Sequence, residues 1–216
     1  MSAWEAHIER EQGRYRDATA RLSTTGSNEK QLVRAANAAW GAGASLLMAG
    51  RRDESAAWFS KAAATYRRSY EGAARDSWGR PIGALKARLL ANDAAGAAED
   101  ARWTLQLGAA EATSPTGRYA AAVALLVLGE DAEAGRLARS LQNAGDAFPV
   151  EVADALRGLG DGDAALYADG LGRVLRSFEE RDTYLEDVPV ADTVLVLEAL
   201  AKPRGLSVRP SSPLVP

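Results

Sequence analysis

Cysteine is absent from this chain of 216 residues, and histidine occurs once, as His7. Without thiols the chain cannot form disulfides, thiolate metal sites or cysteine nucleophiles. With a single imidazole, histidine pairs for acid–base catalysis and multi-histidine metal sites are excluded as well. We therefore expect a protein that is not an enzyme and that binds neither a metal nor a cofactor.

Long apolar runs and a strong net charge are also missing. No apolar run reaches the roughly 18 residues of a membrane span, and the first residues lack the basic start and apolar core of a signal peptide. The formal net charge of -3 gives no reason to expect nucleic acid as a partner. Basic residues lie mainly in the first half and acidic residues in the second, which favours at most weak end-to-end association. We expect a cytoplasmic protein, monomeric or weakly homo-oligomeric, with no membrane partner.

Alanine is what the chain has in abundance. Hydrophobic residues make up 47% of the sequence, and many of them are Ala, the strongest helix former. Alanine also adds little bulk between packed helices, so it favours close stacking. The valines between residues 188 and 196 lie in sequence that fits a helix better than a strand. The composition predicts an all-α protein.

A short turn pattern recurs along the chain. Each copy is a small residue, four mostly polar or small residues, and then Ala or Ser at the start of an apolar helical stripe. Successive copies lie 31 to 42 residues apart, the range of helical-hairpin repeats. The pattern predicts stacked helix pairs, with copies starting at Gly13, Gly50, Asn92, Gly129 and Gly160.

Capping signals and apolar spacing place the helices. Asn28 followed by Gln31 resembles a capping box, and Ser114 before Pro115 is a strong helix start. A polar break is predicted at residues 24–27. Residues 3–22 are predicted to form either a short helix pair broken at Gly13 or one helix bent there. The other predicted helices cover residues 28–49, 53–70, 81–91, 93–107, 115–128, 131–141, 149–159, 163–182 and 189–201.

The C-terminal residues differ from the rest. Residues 203–216 contain four prolines and cannot form a regular helix. We expect one helical-repeat domain over residues 1–202, followed by this Pro-rich tail. A free tail should be more polar than this one, so we predict that it packs back on the helical body through Leu206, Val208, Leu214 and Val215.

Two stretches carry a family resemblance. Residues 37–64 place Gly43 within a first helix, Gly50 at the turn and Phe59 on the second helix, and residues 118–141 repeat the frame with Ala122 and Gly129. Over about residues 5–175 this resembles the tetratricopeptide-repeat family. The resemblance implies a right-handed α-solenoid of about five helix pairs with a C-terminal capping helix, and close helix crossings at Gly43 and Ala122.

In that family the first helices of successive pairs line a concave groove that binds peptides. Carried onto this chain, the groove frame implies a peptide- or partner-binding surface. Trp78 and Arg80 lie in a loop at the predicted mouth of the groove, where binding residues are often found. The implied partner-binding residues are Asn37, Trp40, Trp78, Arg80, Ile82, Lys86 and Tyr119.

Three functions remain open from the sequence. The first is a protein- or peptide-interaction module that uses the groove. The second is a small-molecule-binding or regulatory helical domain with a cavity near Trp78, Arg80 and Lys86. The third is an immunity-type protein that neutralises a toxin. Gly158–Gly162 resembles half of a nucleotide loop, but no strand is predicted before it, which favours a Gly-rich link between helices.

Overall fold

The computed structural model describes residues 3–23 and 28–216, and every regular element within those ranges is helical. The predicted polar break at residues 24–27 lies outside the described residues. The α-helices are α1 Ala3–Ala20, α2 Glu29–Met48, α3 Arg52–Tyr70, α4 Gly79–Leu90, α5 Ala94–Gln106, α6 Pro115–Leu128, α7 Asp131–Gln142, α8 Val150–Asp161, α9 Ala164–Glu179 and α10 Asp192–Ala201. Single 3₁₀ turns cover Ala109–Glu111, Gly145–Ala147, Leu185–Asp187 and Lys202–Arg204.

The recurring turn pattern marks real helix junctions. Gly50, Asn92 and Gly129 have left-handed backbone with φ of 77°, 56° and 79°, as expected where one helix ends before the next begins. In the fifth copy the left-handed residue is Gly162, whereas Gly160 is still within α8. The turn pattern therefore located four helix junctions. It placed the last of them at Gly160, two residues before the left-handed residue Gly162.

Of the two alternatives predicted at Gly13, the short helix pair is wrong, because α1 runs through Gly13 as one helix. Glycine inside a helix costs about 1 kcal/mol relative to alanine, a cost that packing can offset. Ile8, Glu11 and Ala18 form the buried side of α1, and that side continues past Gly13. The first copy of the pattern is therefore a helical segment, not a turn.

The two predicted capping signals behave differently. Ser114 caps α6 as expected, because its Oγ accepts a hydrogen bond from the Gly117 amide at 3.1 Å. Asn28 stands at the N-cap of α2 but makes no capping bond. Its side chain instead exchanges two hydrogen bonds with the backbone of Ser23, at 2.8 and 2.7 Å. The capping box predicted the start of α2 but not the bonds made there.

The last helix is shorter than predicted. It begins at Asp192, not at Pro189. Val188 has extended backbone, and the side chains of Val188 and Val190 are buried. These buried valines hold an irregular segment against the core before α10. Helical spacing alone therefore placed the start of the helix too early.

The chain divides into two compact units. Unit 1 contains the described residues up to Asp93, together with Asp182–Val190 and Pro213–Pro216. In it α1 packs on α2, α2 on α3 and α3 on α4. The predicted close crossing at Gly43 is confirmed, because a Cβ added there would lie 2.9 Å from Cδ1 of Phe59.

Unit 2 contains Ala94–Arg181 and Ala191–Ser212. Helices α5 to α9 each pack on the next, and α10 packs on α8 and α9. Ala122 is fully buried in α6. Sequential packing within each unit is the arrangement expected of helical repeats.

Carboxylates of α9 and α10 hold the part of the tail in unit 2. Glu179 accepts a 2.8 Å hydrogen bond from Ser212 Oγ, and Glu198 holds residues 207–209. Glu198 of α10 accepts hydrogen bonds from Ser207 Oγ at 2.5 Å and from the Val208 and Arg209 amides at 3.0 Å each. It also accepts a 2.7 Å bond from the Tyr167 hydroxyl. These bonds attach residues 207–209 to α10, whereas Val208, one of the apolar residues predicted to pack on the body, is exposed. Packing of the whole tail through its apolar residues stays a prediction.

Candidate functional site

Six of the seven predicted binding residues belong to unit 1, on α2 and at the start of α4. Asn37 and Trp40 are on α2, whereas Ile82 and Lys86 lie one turn apart on α4. Trp78 occupies the N-cap position of α4, and its carbonyl accepts the Ile82 amide at 3.1 Å. Helix α4 therefore starts at this loop, as Pro81 in its first turn predicts.

Both tryptophans among the predicted binding residues, Trp40 and Trp78, are in the core. Trp40 is 2% exposed, and its ring meets that of Phe59 edge-on with centroids 6.1 Å apart. Trp78 is 7% exposed. Buried rings cannot contact a partner without rearrangement, so we leave both side chains out of the candidate site.

Asn37 helps to join the helices of unit 1. Its Oδ1 accepts a 2.6 Å hydrogen bond from the hydroxyl of Tyr66 on α3. The Tyr66 ring in turn lies against Gly83 of α4, where an added Cβ would be 2.8 Å from Cε2. The half-buried Asn37 side chain is therefore held in place by a buried phenol.

Arg80 forms the main charged contact between α4 and α2. One of its terminal nitrogens pairs with the carboxylate of Glu29, in the first turn of α2. Its side chain is largely covered, and Nε is buried without a hydrogen-bond partner. An arginine held in this way offers fixed N–H donors, because packing and the ion pair restrict its rotamers.

A surface hollow opens beside Glu29. It has a volume of about 490 Å³, and both the beginning of α2 and the end of α3 contribute to its walls. Charges of both signs line it, together with the apolar side chain of Leu32. The lining residues are Asn28, Glu29, Leu32, Arg68, Ser69, Glu71 and Gly72.

Ile82 and Lys86 complete the candidate site. Both are half-buried, so part of each side chain is exposed to solvent. Their spacing of four residues puts them on one face of α4. Together with Arg80 and Glu29 they give α4 and the start of α2 an accessible surface that is partly apolar and partly charged.

Tyr119, the seventh predicted residue, belongs to unit 2. It is half-buried in α6, and its ring lies 5.5 Å from that of Phe148 between centroids. The prediction that Trp40, Ile82 and Tyr119 share one concave surface stays a prediction.

Sequence reasoning missed the residues of the hollow. Neither Glu29 in the first turn of α2 nor Arg68, Ser69 and Gly72 at and beyond the end of α3 belong to a pattern that predicts binding. Glu29 and Arg80 are 51 positions apart in sequence, a separation at which charge pairing has no local signal. Only the gap between the predicted helices 53–70 and 81–91 indicated that this part of the chain is accessible.

Comparison with known proteins returned no match: no family model, curated protein or solved structure is significantly similar to this chain. Across residues 3–23 and 28–216, no cluster of three or more His, Cys, Asp or Glu side chains is arranged to hold a metal. In the same residues, no helix is both long and apolar enough to span a membrane.

Proposed function

We propose that this protein is a non-enzymatic interaction module that holds a peptide or a segment of a partner protein. The binding surface is a groove lined by the first helices of a right-handed, tetratricopeptide-like α-solenoid. The observation that carries the proposal is the Glu29–Arg80 pair beside an open hollow, on the two helices, α2 and α4, that this type of fold uses for binding.

The chemistry of this surface suits a peptide. Peptides present carbonyl acceptors and amide donors at short intervals. The fixed guanidinium of Arg80 can donate to a peptide carbonyl, and the carboxylate of Glu29 can accept from a peptide amide. The half-buried Ile82 adds apolar area for a side chain. Arginine commonly dominates binding energy at such surfaces. The partner is a protein, and we place the complex in the cytoplasm.

A peptide-display selection against the whole protein tests the proposal. We expect selected peptides to bind the unmodified protein and to lose at least about tenfold in affinity, roughly 1.4 kcal/mol, with Arg80→Gln or Ile82→Asp. Arg52→Gln is the matched control, because Arg52 is exposed on α3 away from the hollow's lining. Peptides whose affinity is unaffected by both site variants would contradict the proposal.

A small-molecule or regulatory role is the second candidate. The volume of the hollow falls within the range of about 300–1,000 Å³ typical of small-molecule sites. A metabolite that copurifies with the protein and is released by Arg80→Gln would favour this reading. If the selected partner is instead a toxin that loses its activity on binding, the interaction is of the immunity type.

A further inference from the structure

Helix α1 carries two arginines organised around one buried carboxylate. The Glu11 side chain is 0% exposed. Arg10 Nε donates to its Oε1 at 2.7 Å, and Arg14 Nη1 lies 3.2 Å from Oε1 and 3.4 Å from Oε2. Gly41 of α2 makes room for this carboxylate, since an added Cβ would lie 2.9 Å from Glu11 Cγ. One glutamate therefore orients two guanidinium groups.

The remaining donors of Arg10 and Arg14, which we call the α1 arginine pair, converge on Glu186. Arg10 Nη2 donates to the main-chain carbonyl of Glu186 at 2.6 Å. Arg14 Nη2 pairs with Oε2 of the same residue at 2.5 Å. The pair thus contacts both a peptide carbonyl and the carboxylate of one glutamate, which is more specific than the binding of a free anion.

The charges explain why a carboxylate is held there. Two guanidinium groups and one buried carboxylate leave a net charge of +1, which Glu186 neutralises. Burial of the ring, and then the nearby Arg10, lower the pKa of His7, one turn earlier on α1, despite the opposing effects of Glu11 and Asp187. His7 is therefore neutral at neutral pH and adds no competing positive charge.

Burying Glu11 carries an energetic penalty that fold stability alone does not require. A buried ion pair is often no more stabilising than apolar packing of similar volume, because desolvation offsets the attraction. Fixing two arginines before a ligand arrives, however, lowers the entropy lost on binding. The arginine side chains are 39% and 49% exposed, so they remain reachable from solvent.

The 3₁₀ turn Leu185–Asp187, which we call the acidic turn, is held in a strained form. Glu186 and Asp187 have φ of 56° and 54°, a left-handed backbone that is unfavourable for non-glycine residues. Two consecutive residues of this kind persist only when surrounding contacts impose them. The contacts from Arg10 and Arg14 supply part of that constraint.

We propose that the α1 arginine pair is a binding site for a glutamate-bearing turn of a partner protein, and that the acidic turn is its built-in competitor. An unstrained turn of the same chemistry keeps both arginine contacts without the left-handed residues. Because the acidic turn belongs to the same chain, it competes at a high effective concentration. Only a partner turn that binds the α1 arginine pair more strongly can therefore displace it. This surface lies on α1 and is independent of the α2–α4 site.

The test uses a fluorescently labelled synthetic peptide with the sequence of residues 182–190 and the full chain as receptor. Glu186→Gln in the receptor removes the competing carboxylate. We expect this receptor to bind the peptide at least about tenfold more tightly than the unmodified chain, by fluorescence anisotropy. Adding Arg14→Gln to this receptor should abolish the gain, whereas Arg16→Gln, an exposed arginine of α1, should leave it intact.

Three results would overturn the proposal. They are absence of binding to the Glu186→Gln receptor, equal binding of a peptide that carries Gln in place of Glu186, and competition by millimolar inorganic phosphate as effective as that of unlabelled peptide. If the Glu186→Gln variant has a reduced helical circular dichroism signal, it is not correctly folded. The binding test is then replaced by amide hydrogen exchange of the unmodified chain in the presence of the peptide. Excess peptide should then speed exchange at Val188, and an unchanged rate would equally overturn the proposal.

Discussion

Helices approach closely at glycines in both units, but the atoms of the neighbouring helix that lie against the glycine differ between the units. In unit 1 the contact partner is a side chain. A Cβ added at Gly43 would meet the Phe59 ring at 2.9 Å, and one added at Gly83 would meet the Tyr66 ring at 2.8 Å. Glycine here makes space for an aromatic ring of the neighbouring helix.

In unit 2 the contact partner is backbone. A Cβ added at Gly160 of α8 would lie 2.6 Å from the Gly135 nitrogen of α7. One added at Gly170 of α9 would lie 2.6 Å from the Ala155 nitrogen of α8. Three consecutive helices are therefore in near main-chain contact, and only a shift of whole helices could admit a larger residue.

Ion pairs between helices occur in both units, and in unit 1 Arg80 of α4 pairs with Glu29 of α2. Across α8 and α9 in unit 2, Arg173 pairs with Asp154, and across α7 and α8 Arg139 pairs with Asp161 at 2.8 Å. Because the main chains pack closely here, long polar side chains pair with each other at the edges of the helix contacts. In unit 1 aromatic rings fill the crossings, and the buried charge of Glu11 lies beside Gly41. The comparison teaches that a similar supply of Gly and Ala supports two different ways of packing helices.

The largest expected effect is from Gly170→Ala in unit 2. The new methyl group would collide with backbone that cannot rotate away. We expect a loss near the upper end of the roughly 1–3 kcal/mol of overpacking, which is a fall in melting temperature of roughly 6–12 °C. Gly172→Ala in the same helix is the matched control, because its added methyl group meets nothing within 4 Å.

The control should gain roughly 0.5–1 kcal/mol from the better helix propensity of alanine. Thermal melts followed by circular dichroism measure both variants. Equal melting temperatures for the two would show that unit 2 is not packed backbone to backbone at Gly170.

A smaller loss is expected from Gly43→Ala in unit 1. Here the methyl group meets a ring that can turn, and the gain in helix propensity offsets part of the clash. We expect a net loss of about 1 kcal/mol. In a double-mutant cycle Phe59→Leu should reduce that loss, because the smaller side chain leaves room. A loss as large as that of Gly170→Ala, and additive with Phe59→Leu, would remove the distinction between the units.

An effect as small as that of Gly43→Ala is expected at Glu198. Burial alone would raise its pKa, but hydrogen bonds from Ser207, from Tyr167 and from the Val208 and Arg209 amides outweigh burial and lower it. A carboxyl group whose pKa is lower in the folded state stabilises the fold when ionised. Its contribution is complete above the ordinary value of 4.5 and is lost as the pH falls through the folded-state pKa.

We expect Glu198→Gln to lower stability by about 1 kcal/mol at pH 7, because the amide keeps one acceptor but loses the charge. The difference from the unmodified protein should shrink below pH 4.5. Melting curves across this pH range measure it, with the exposed Glu180→Gln as control. A difference that stays constant with pH would mean that the charge of Glu198 does not hold the tail.

Much of the fold could be predicted locally. Ser114–Pro115 starts α6 because capping is a contact within one turn, and Gly50 and Gly129 end helices because only their own backbone angles are involved. Of the candidate site, Ile82 and Lys86 were predicted from the groove frame that the family resemblance implies, and both lie on α4. The pairing of Arg80 with Glu29 did not, since nothing local selects a partner 51 residues away.

By itself, the sequence determined the helical elements, four of the left-handed helix junctions and a Pro-rich tail that cannot be a regular helix. These properties depend on backbone preference and on the periodicity of side chains, which act over a few residues. Tertiary structure decided that Trp40 is core, that Asn28 binds Ser23 rather than capping, and that Glu11 is buried beside Gly41 to orient Arg10 and Arg14. Burial and charge pairing depend on which distant residues meet, and only the packed chain settles that.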